Sequence, residues 1–262
     1  MKKRPISAML LALAFMAIRT FAGGSPGAQE AVSRNDGQPD ARSILAKLES
    51  NMVYDSIEYE GSMEIRSNGK IKIKTMRTWS TGPDRAFVEF TNPEDRGVRM
   101  LKLGENLWMY FPSERDTIKI SGHLLTQGMM GSDLSYAEAL EPESLSKSYD
   151  TVWLKTEEAL GRKAYLLELT AKTQNAAYAK RRLWIDAECY VVLKSELFAK
   201  SGKLLKETET LDVLKIGSRW FPSRTVMRDK LKKNSETVFA MTLLRIDTKI
   251  DVSMFSLQAL AR

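Results

Sequence analysis

The side chains best suited to bond-making chemistry are few in this 262-residue chain: His123 is its one histidine and Cys189 its one cysteine. A nucleophile and base could be drawn from His123 with Ser121 or Ser132, yet no nucleophile elbow surrounds either serine. Ser144-Leu145-Ser146-Lys147 matches a Ser-x-x-Lys pattern, but the companion motifs of that enzyme class are missing, and the polar stretch around it reads as a solvated turn. One His and one Cys exclude a multi-His or Cys-rich metal centre. The single thiol forms no intramolecular disulfide, and its neighbours Tyr190, Val191 and Val192 predict a buried, inert cysteine in a strand-like run. The residues therefore point to a protein that makes and breaks no bonds and needs no cofactor.

What the chain does offer is apolar contact. From Trp79 to Tyr136 it carries Trp79, Phe87, Phe90, Trp108, Tyr110 and Phe111, then Leu124, Leu125, Met129 and Met130, with little charge in the last stretch. Methionine is unbranched and adaptable, so paired Met between Gly128 and Gly131 suits an apolar surface that repacks around variable ligands; packing by an ordinary core loop fits the same composition. Trp108-Met109-Tyr110-Phe111-Pro112 sets aromatic residues on a strand, where they could line a cavity or build a core, and alternation leaves open whether Trp108 or Met109 faces inward.

The elements that must position these residues are mostly strands. Asp40 is a plausible N-cap for a helix whose stripe is Ile44, Leu45, Leu48 and Met52. From Ser56 the period becomes two: Ile71, Ile73 and Thr75 alternate with Lys70, Lys72 and Lys74, which reads as a half-buried strand with a lysine-bearing wet face. Turn signals at Asn68-Gly69, Gly82-Pro83, Asn92-Pro93, Gly104-Glu105-Asn106 and Ser201-Gly202 divide the chain into roughly a dozen strands, an antiparallel meander. Val88, Phe90, Leu101 and Leu103 each have charged or polar neighbours one position away, and together they are expected to line the concave face. Such a sheet needs its apolar face covered, and the connection from Ser121 to Ser148 has the length to act as a lid, with Ser132 capping a short helix through Tyr136, Ala137 and Leu140.

The ends of the chain and its charge narrow the setting. Met1 to Ala22 has the basic start, thirteen-residue apolar run and small residues of a cleaved secretory signal, and a spanning helix would need roughly 20 apolar residues. Residues 23–39 read as a flexible leader, leaving 40–262 as a single domain. The formal net charge of +7 includes Lys2, Lys3, Arg4 and Arg19, so the mature chain is near +3 and a nucleic-acid partner loses its support. Lys180-Arg181-Arg182 and Lys230-Leu231-Lys232-Lys233 read as solvated edges or contacts to anionic lipid.

The order Trp79, Gly82-Pro83, Phe87 to Phe90, Asn92-Pro93 and Leu107 to Pro112, followed by Gly128-Met129-Met130-Gly131-Ser132-Asp133, resembles the bacterial LolA/LolB-like lipoprotein-sorting carriers, and in particular the branch described as outer-membrane lipoprotein-sorting proteins. The resemblance covers Asp40 to Leu257. It implies a mainly β fold: a strongly curved antiparallel sheet forming an incomplete, half-open barrel with helices over its mouth. It also implies a monomeric periplasmic carrier that shields the acyl chains of lipoproteins or other lipids, taking cargo from an inner-membrane donor and passing it to an outer-membrane acceptor. Its lipid-binding residues would be Trp79, Val88, Phe90, Leu101, Leu103, Trp108, Met109, Tyr110, Leu124, Leu125, Met129 and Met130. The better-known carriers place a basic, lid-latching residue where this chain has Gly82, so their latch does not transfer. An envelope lipid-sensing or assembly module, or a lipid esterase, would use the same concave sheet differently.

Overall fold

The computed structural model describes residues 39–140, 144–174 and 176–262; the expected signal and nearly all of the expected leader lie outside these. The described chain opens with helix α1 (Ala41–Ser50), where the Asp40 carboxylate accepts hydrogen bonds from the amides of Arg42 (3.2 Å) and Ser43 (3.1 Å), two donors that the first turn leaves unpaired. Ile44, Leu45 and Leu48 form its buried face.

Thirteen antiparallel strands follow in two runs. The first comprises β1 (Ser56–Ser67), β2 (Lys70–Thr81), β3 (Arg85–Phe90), β4 (Arg99–Leu103), β5 (Asn106–Phe111) and β6 (Asp116–Ile120). The second comprises β7 (Tyr149–Ala159), β8 (Arg162–Ala171), β9 (Lys180–Asp186), β10 (Val192–Phe198), β11 (Leu204–Ile216), β12 (Arg219–Asp229) and β13 (Ser235–Ile246). Within each run every strand pairs with its neighbour in sequence, and β13 pairs with β1, so the order is β6-β5-β4-β3-β2-β1-β13-β12-β11-β10-β9-β8-β7. The result is one large curved sheet that does not close into a barrel.

This topology makes β6 and β7 the two edges, although they are consecutive in sequence. The chain between them must therefore travel from one edge of the sheet to the other, and its described residues, 121–140 and 144–148, lie on one face and carry the short helices α2 (Tyr136–Leu140) and α3 (Leu145–Ser148). Helix α1 covers the β7–β10 end of the same face: Ile44, Leu45 and Leu48 pack with Leu145, Leu167, Leu183 and Val192. We call this the inner face. On the outer face, the end of the chain folds back, and helix α4 (Leu257–Leu260) and the turn before it set Phe255 and Leu260 against Phe87 and Leu101.

The strand period is as expected, but its phase on β2 is reversed. Ile71 and Ile73 point outward and are about 60% exposed, while Lys74 is buried on the inner face across from Met63. The charge is tolerated there because Asp95, in the turn that begins at Asn92-Pro93, pairs directly with Lys74 and Glu94 lies 3.5 Å away. Cys189 is buried, as expected of an inert thiol, but it sits in the turn before β10 rather than in the strand; burial pushes its thiol above the usual range.

Candidate functional site

Cross-strand registers build the inner face row by row. Thr78, Val88, Met100, Met109 and Ile118 stand opposite one another on β2 to β6, and the adjacent row is Ser80, Ala86, Lys102, Leu107 and Ile120. The apolar layer formed here includes Met52, Met63, Met76, Met100, Met109, Met129 and Met227 together with Val88, Phe90, Phe221 and Phe239. Thioether side chains are polarizable and have several accessible rotamers, so a layer this rich in Met can repack at lower cost than one of branched or aromatic residues.

The edge-to-edge connection fills this layer rather than arching above it. Met129 and Leu134 are fully buried against the sheet, and Leu124, Leu125, Met130 and Leu140 pack around them. Its backbone is tightly folded. Gly128 bridges to Ser135, Met129 N donates to Leu134 O at 2.6 Å, and Met130 adopts a left-handed φ of 52°. A Cβ on Gly128 would lie 2.1 Å from the Ser132 carbonyl oxygen, so this glycine is needed for close backbone approach.

Polar side chains tie the connection to the far half of the sheet. The Asp133 carboxylate accepts hydrogen bonds from Ser235 Oγ (2.6 Å) and Thr237 Oγ1 (2.9 Å) on β13. Lys206 on β11 donates to the Asp133 carbonyl (2.6 Å) and forms a buried ion pair with Glu138 of α2. Glu138 also accepts from the Tyr178 hydroxyl and from the amide of Ser135 (2.7 Å). Burial alone would raise the Glu138 pKa, but Lys206, Ser135 and Tyr178 outweigh it and hold the carboxyl below its usual range. Ser135 and Glu138 thus form a capping box for α2; the cap expected at Ser132 is displaced three residues, and Ser132 Oγ instead donates to Leu134 O within the tight loop.

The residues singled out from sequence divide between two faces. Val88, Phe90, Met109, Leu124, Leu125, Met129 and Met130 meet in the inner layer. Trp79, Leu101, Leu103, Trp108 and Tyr110 meet on the outer face with Phe87 and the C-terminal segment. The expectation that Val88, Phe90, Leu101 and Leu103 share one face is therefore corrected: Val88 pairs with Met100 and Phe87 with Leu101, so Leu101 and Leu103 project opposite to Val88. Met109, not Trp108, faces inward.

The polar candidates also find places. Ser144 and Ser146 are not in a solvated turn; both bind the buried Glu49 carboxylate, Ser144 Oγ to Oε1 at 2.7 Å and Ser146 Oγ to Oε2 at 3.0 Å, which joins α1 to α3. His123 is exposed on the connection.

Sequence reading missed the latch residues Lys206, Glu138, Ser235 and Thr237, though Ser135-Tyr136-Ala137-Glu138 has the Ser-x-x-Glu spacing of a capping box. It also missed Lys102, which is 1% exposed and whose ammonium has no hydrogen-bond partner. Clefts of about 230 and 280 Å³ flank the β1, β2 and β13 seam, with charged residues such as Glu60 and Arg77 in both walls. Among the described residues no helix is long and apolar enough to cross a membrane.

Comparison with known proteins matches this geometry. Solved structures with the same architecture include a DUF1329 family protein from Desulfovibrio piger (23% identity, TM-score 0.76, covering 83% of this chain and 96% of that one). A provisionally assigned outer membrane lipoprotein-sorting protein domain from Vibrio parahaemolyticus gives 20% identity and a TM-score of 0.74, covering 85% and 98%. A LolA superfamily protein from Nitrosomonas europaea gives 24% identity and a TM-score of 0.68, covering 85% and 100%. No curated protein matches the chain. A family model described as "Uncharacterized protein" matches residues 82–262, from the β2–β3 turn to the last residue, so the chain belongs to that family, and the fold on which it is built is the LolA-like curved sheet.

Proposed function

We propose that this protein is a periplasmic carrier that binds acyl chains of lipoproteins or other lipids between its inner face and the edge-to-edge connection, without catalysis. The observation that carries the reading is the nature of the cover. A methionine-rich apolar layer is filled by a segment that belongs to neither neighbouring strand and is fastened by a discrete set of polar contacts. An acyl chain contributes about 0.8 kcal/mol per buried methylene, so a chain of ordinary length can compensate for displacing Met129 and Leu134. In this reading the connection occupies the site when cargo is absent, and Val88, Phe90, Met109, Leu124, Leu125, Met129 and Met130 are the binding residues. The outer-face residues Trp79, Leu101, Leu103, Trp108 and Tyr110 hold the C-terminal segment instead.

The lipoprotein-sorting description of the Vibrio parahaemolyticus domain and the LolA superfamily membership of the Nitrosomonas europaea protein support this reading through the shared fold. An inner-membrane donor and an outer-membrane acceptor would be the partners of a carrier of this kind. The test is mass spectrometry of lipid extracted from the exported protein after purification without detergent, paired with titration of a fluorescent fatty acid. Stoichiometric lipid and saturable uptake are expected. Protein that is free of lipid and takes up no probe would overturn the proposal.

A further inference from the structure

The inner face buries three lysines among the described residues, and two of them have carboxylate partners within the protein. Lys74 pairs with Asp95, and Lys206 pairs with Glu138. Lys102 has no carboxylate in ion-pair contact, Asp84 acting on it only through space: its side chain is 1% exposed, its ammonium makes no hydrogen bond, and it stands in the row between Ala86 and Leu107. One hydroxyl in the same layer, that of Tyr54 beside Phe221, is also buried and without a hydrogen bond. The hydroxyls of Tyr59 and Thr78, which face each other across β1 and β2 in the row next to that of Lys102, interact with one another. Buried polar groups are almost always satisfied, and a group that is not asks for a missing partner. Lys102 and Tyr54 are both hydrogen donors, and one carries a positive charge, so the partner that fits is an acceptor that bears a single negative charge.

We propose that Lys102 is the anchor for the carboxylate of a free fatty acid whose chain lies along the methionine-rich inner layer. The inference rests on the reading of that layer as an acyl-chain site and names its ligand class. A carboxylate supplies one negative charge and acceptor oxygens, which match one unpartnered ammonium. The acyl chains of a lipoprotein, held in ester and amide linkages, have no such group, so Lys102 favours the free acid over them. Burial pulls the Lys102 ammonium down to about 8, with Asp84 acting against that shift; at neutral pH the group still holds its proton for an anion.

The experiment compares binding of palmitic acid, hexadecanol and palmitoyl-lysophosphatidylglycerol to the full-length exported protein and to Lys102→Met. Methionine keeps an unbranched apolar stem one atom shorter and removes an unpaired buried charge, so the variant should fold, which its thermal melt checks. In the unmodified protein the acid should bind at least about tenfold more tightly than the alcohol, the scale of one hydrogen-bonded charge pair, and Lys102→Met should bring the two together. Equal binding of acid and alcohol by the unmodified protein would overturn the anchor while leaving the acyl-chain site standing. Failure to bind any of the three would remove both. Tighter binding of the lysophospholipid than of palmitate would overturn the carboxylate assignment in favour of a phosphodiester. If Lys102→Met does not fold, the acid-to-alcohol ratio of the unmodified protein still decides.

Discussion

Strands β3, β4 and β5 carry an apolar layer on each side, and the two layers are built differently. The outer one is aromatic: Phe87, Trp108, Tyr110 and the neighbouring Trp79 receive Phe255 and Leu260, with Trp79 and Phe87 tilted 57° at a centroid distance of 6.3 Å. The inner one is rich in methionine, and its cover is tied down by buried carboxylates, a lysine and hydroxyls. Buried side chains occur in both, Phe87 and Leu101 on the outside and Val88 and Met109 on the inside, so burial alone does not distinguish a ligand site from a structural seam. The difference lies in how each cover could leave. Aromatic contacts lose energy steadily as they separate, whereas the polar latch is a set of bonds that either hold or break, over a layer that can reshape.

The strongest way to test this comparison is to break the latch. Lys206→Met removes the cation facing Glu138 and leaves a buried carboxylate without its partner, a change of about 3–5 kcal/mol in comparable buried pairs. Unfolding by urea should show a loss of that order, and the rate of fluorescent fatty acid uptake should rise because the connection opens more easily. A variant with unchanged stability and unchanged uptake would mean that the pair is not what holds the cover.

Truncations on the two faces should separate binding from stability. Leu101→Ala and Met109→Ala each delete a fully buried side chain and should each cost about 2–5 kcal/mol in a urea titration. Only Met109→Ala should weaken binding of the fatty acid by the molecules that remain folded. If Leu101→Ala weakens binding as much as Met109→Ala, the outer layer takes part in the site and the comparison fails.

Acid should act on the inner cover. Glu138 is held below its ordinary pKa in the folded protein, so its contribution to stability is complete above the unfolded value of about 4.3 and is lost as pH falls through the lower folded value. Stability should therefore decline below about pH 4, and Glu138→Gln should flatten that part of the profile while lowering stability at pH 7. Urea midpoints at pH 7 and pH 3 measure both effects. An acid limb unchanged in Glu138→Gln would assign it to other carboxylates.

Much of the fold is legible in local sequence, because caps, turns and strand period are local effects. Asp40 caps α1, Asn68-Gly69 turns β1 into β2, and Ser201-Gly202 lies in the turn between β10 and β11. Phase is less accessible. Alternation shows that Leu101 and Lys102 face opposite ways but not which one is inside, and the intuition that lysine faces water inverts both β2 and β4. Lys74 is inside because Asp95 meets it, and Lys102 is inside although no residue bonds to it. The latch was hidden for a related reason. Glu138 and Lys206 are 68 positions apart, and only the pairing of β11 through β13 back to β1 brings the far half of the sheet under the connection.

The smallest expected effect tests the phase on β2. Ile73 lies on the outer face, 58% exposed, next to the buried Lys74 and beyond the reach of the C-terminal cover. Exposed positions away from caps, ion pairs and strained backbone change stability by no more than about 0.5 kcal/mol, so Ile73→Thr, which keeps a β-branched side chain suited to a strand, should leave the urea midpoint almost unmoved. Fatty acid binding should also be unchanged, because the side chain points away from the inner layer. A loss of more than 1 kcal/mol would show that Ile73 is covered in solution, either by more of the chain or by a second molecule, and sedimentation velocity would separate the two. A loss of binding without a loss of stability would reverse the face assignment of β2 and bring down the division between a ligand side and a structural side.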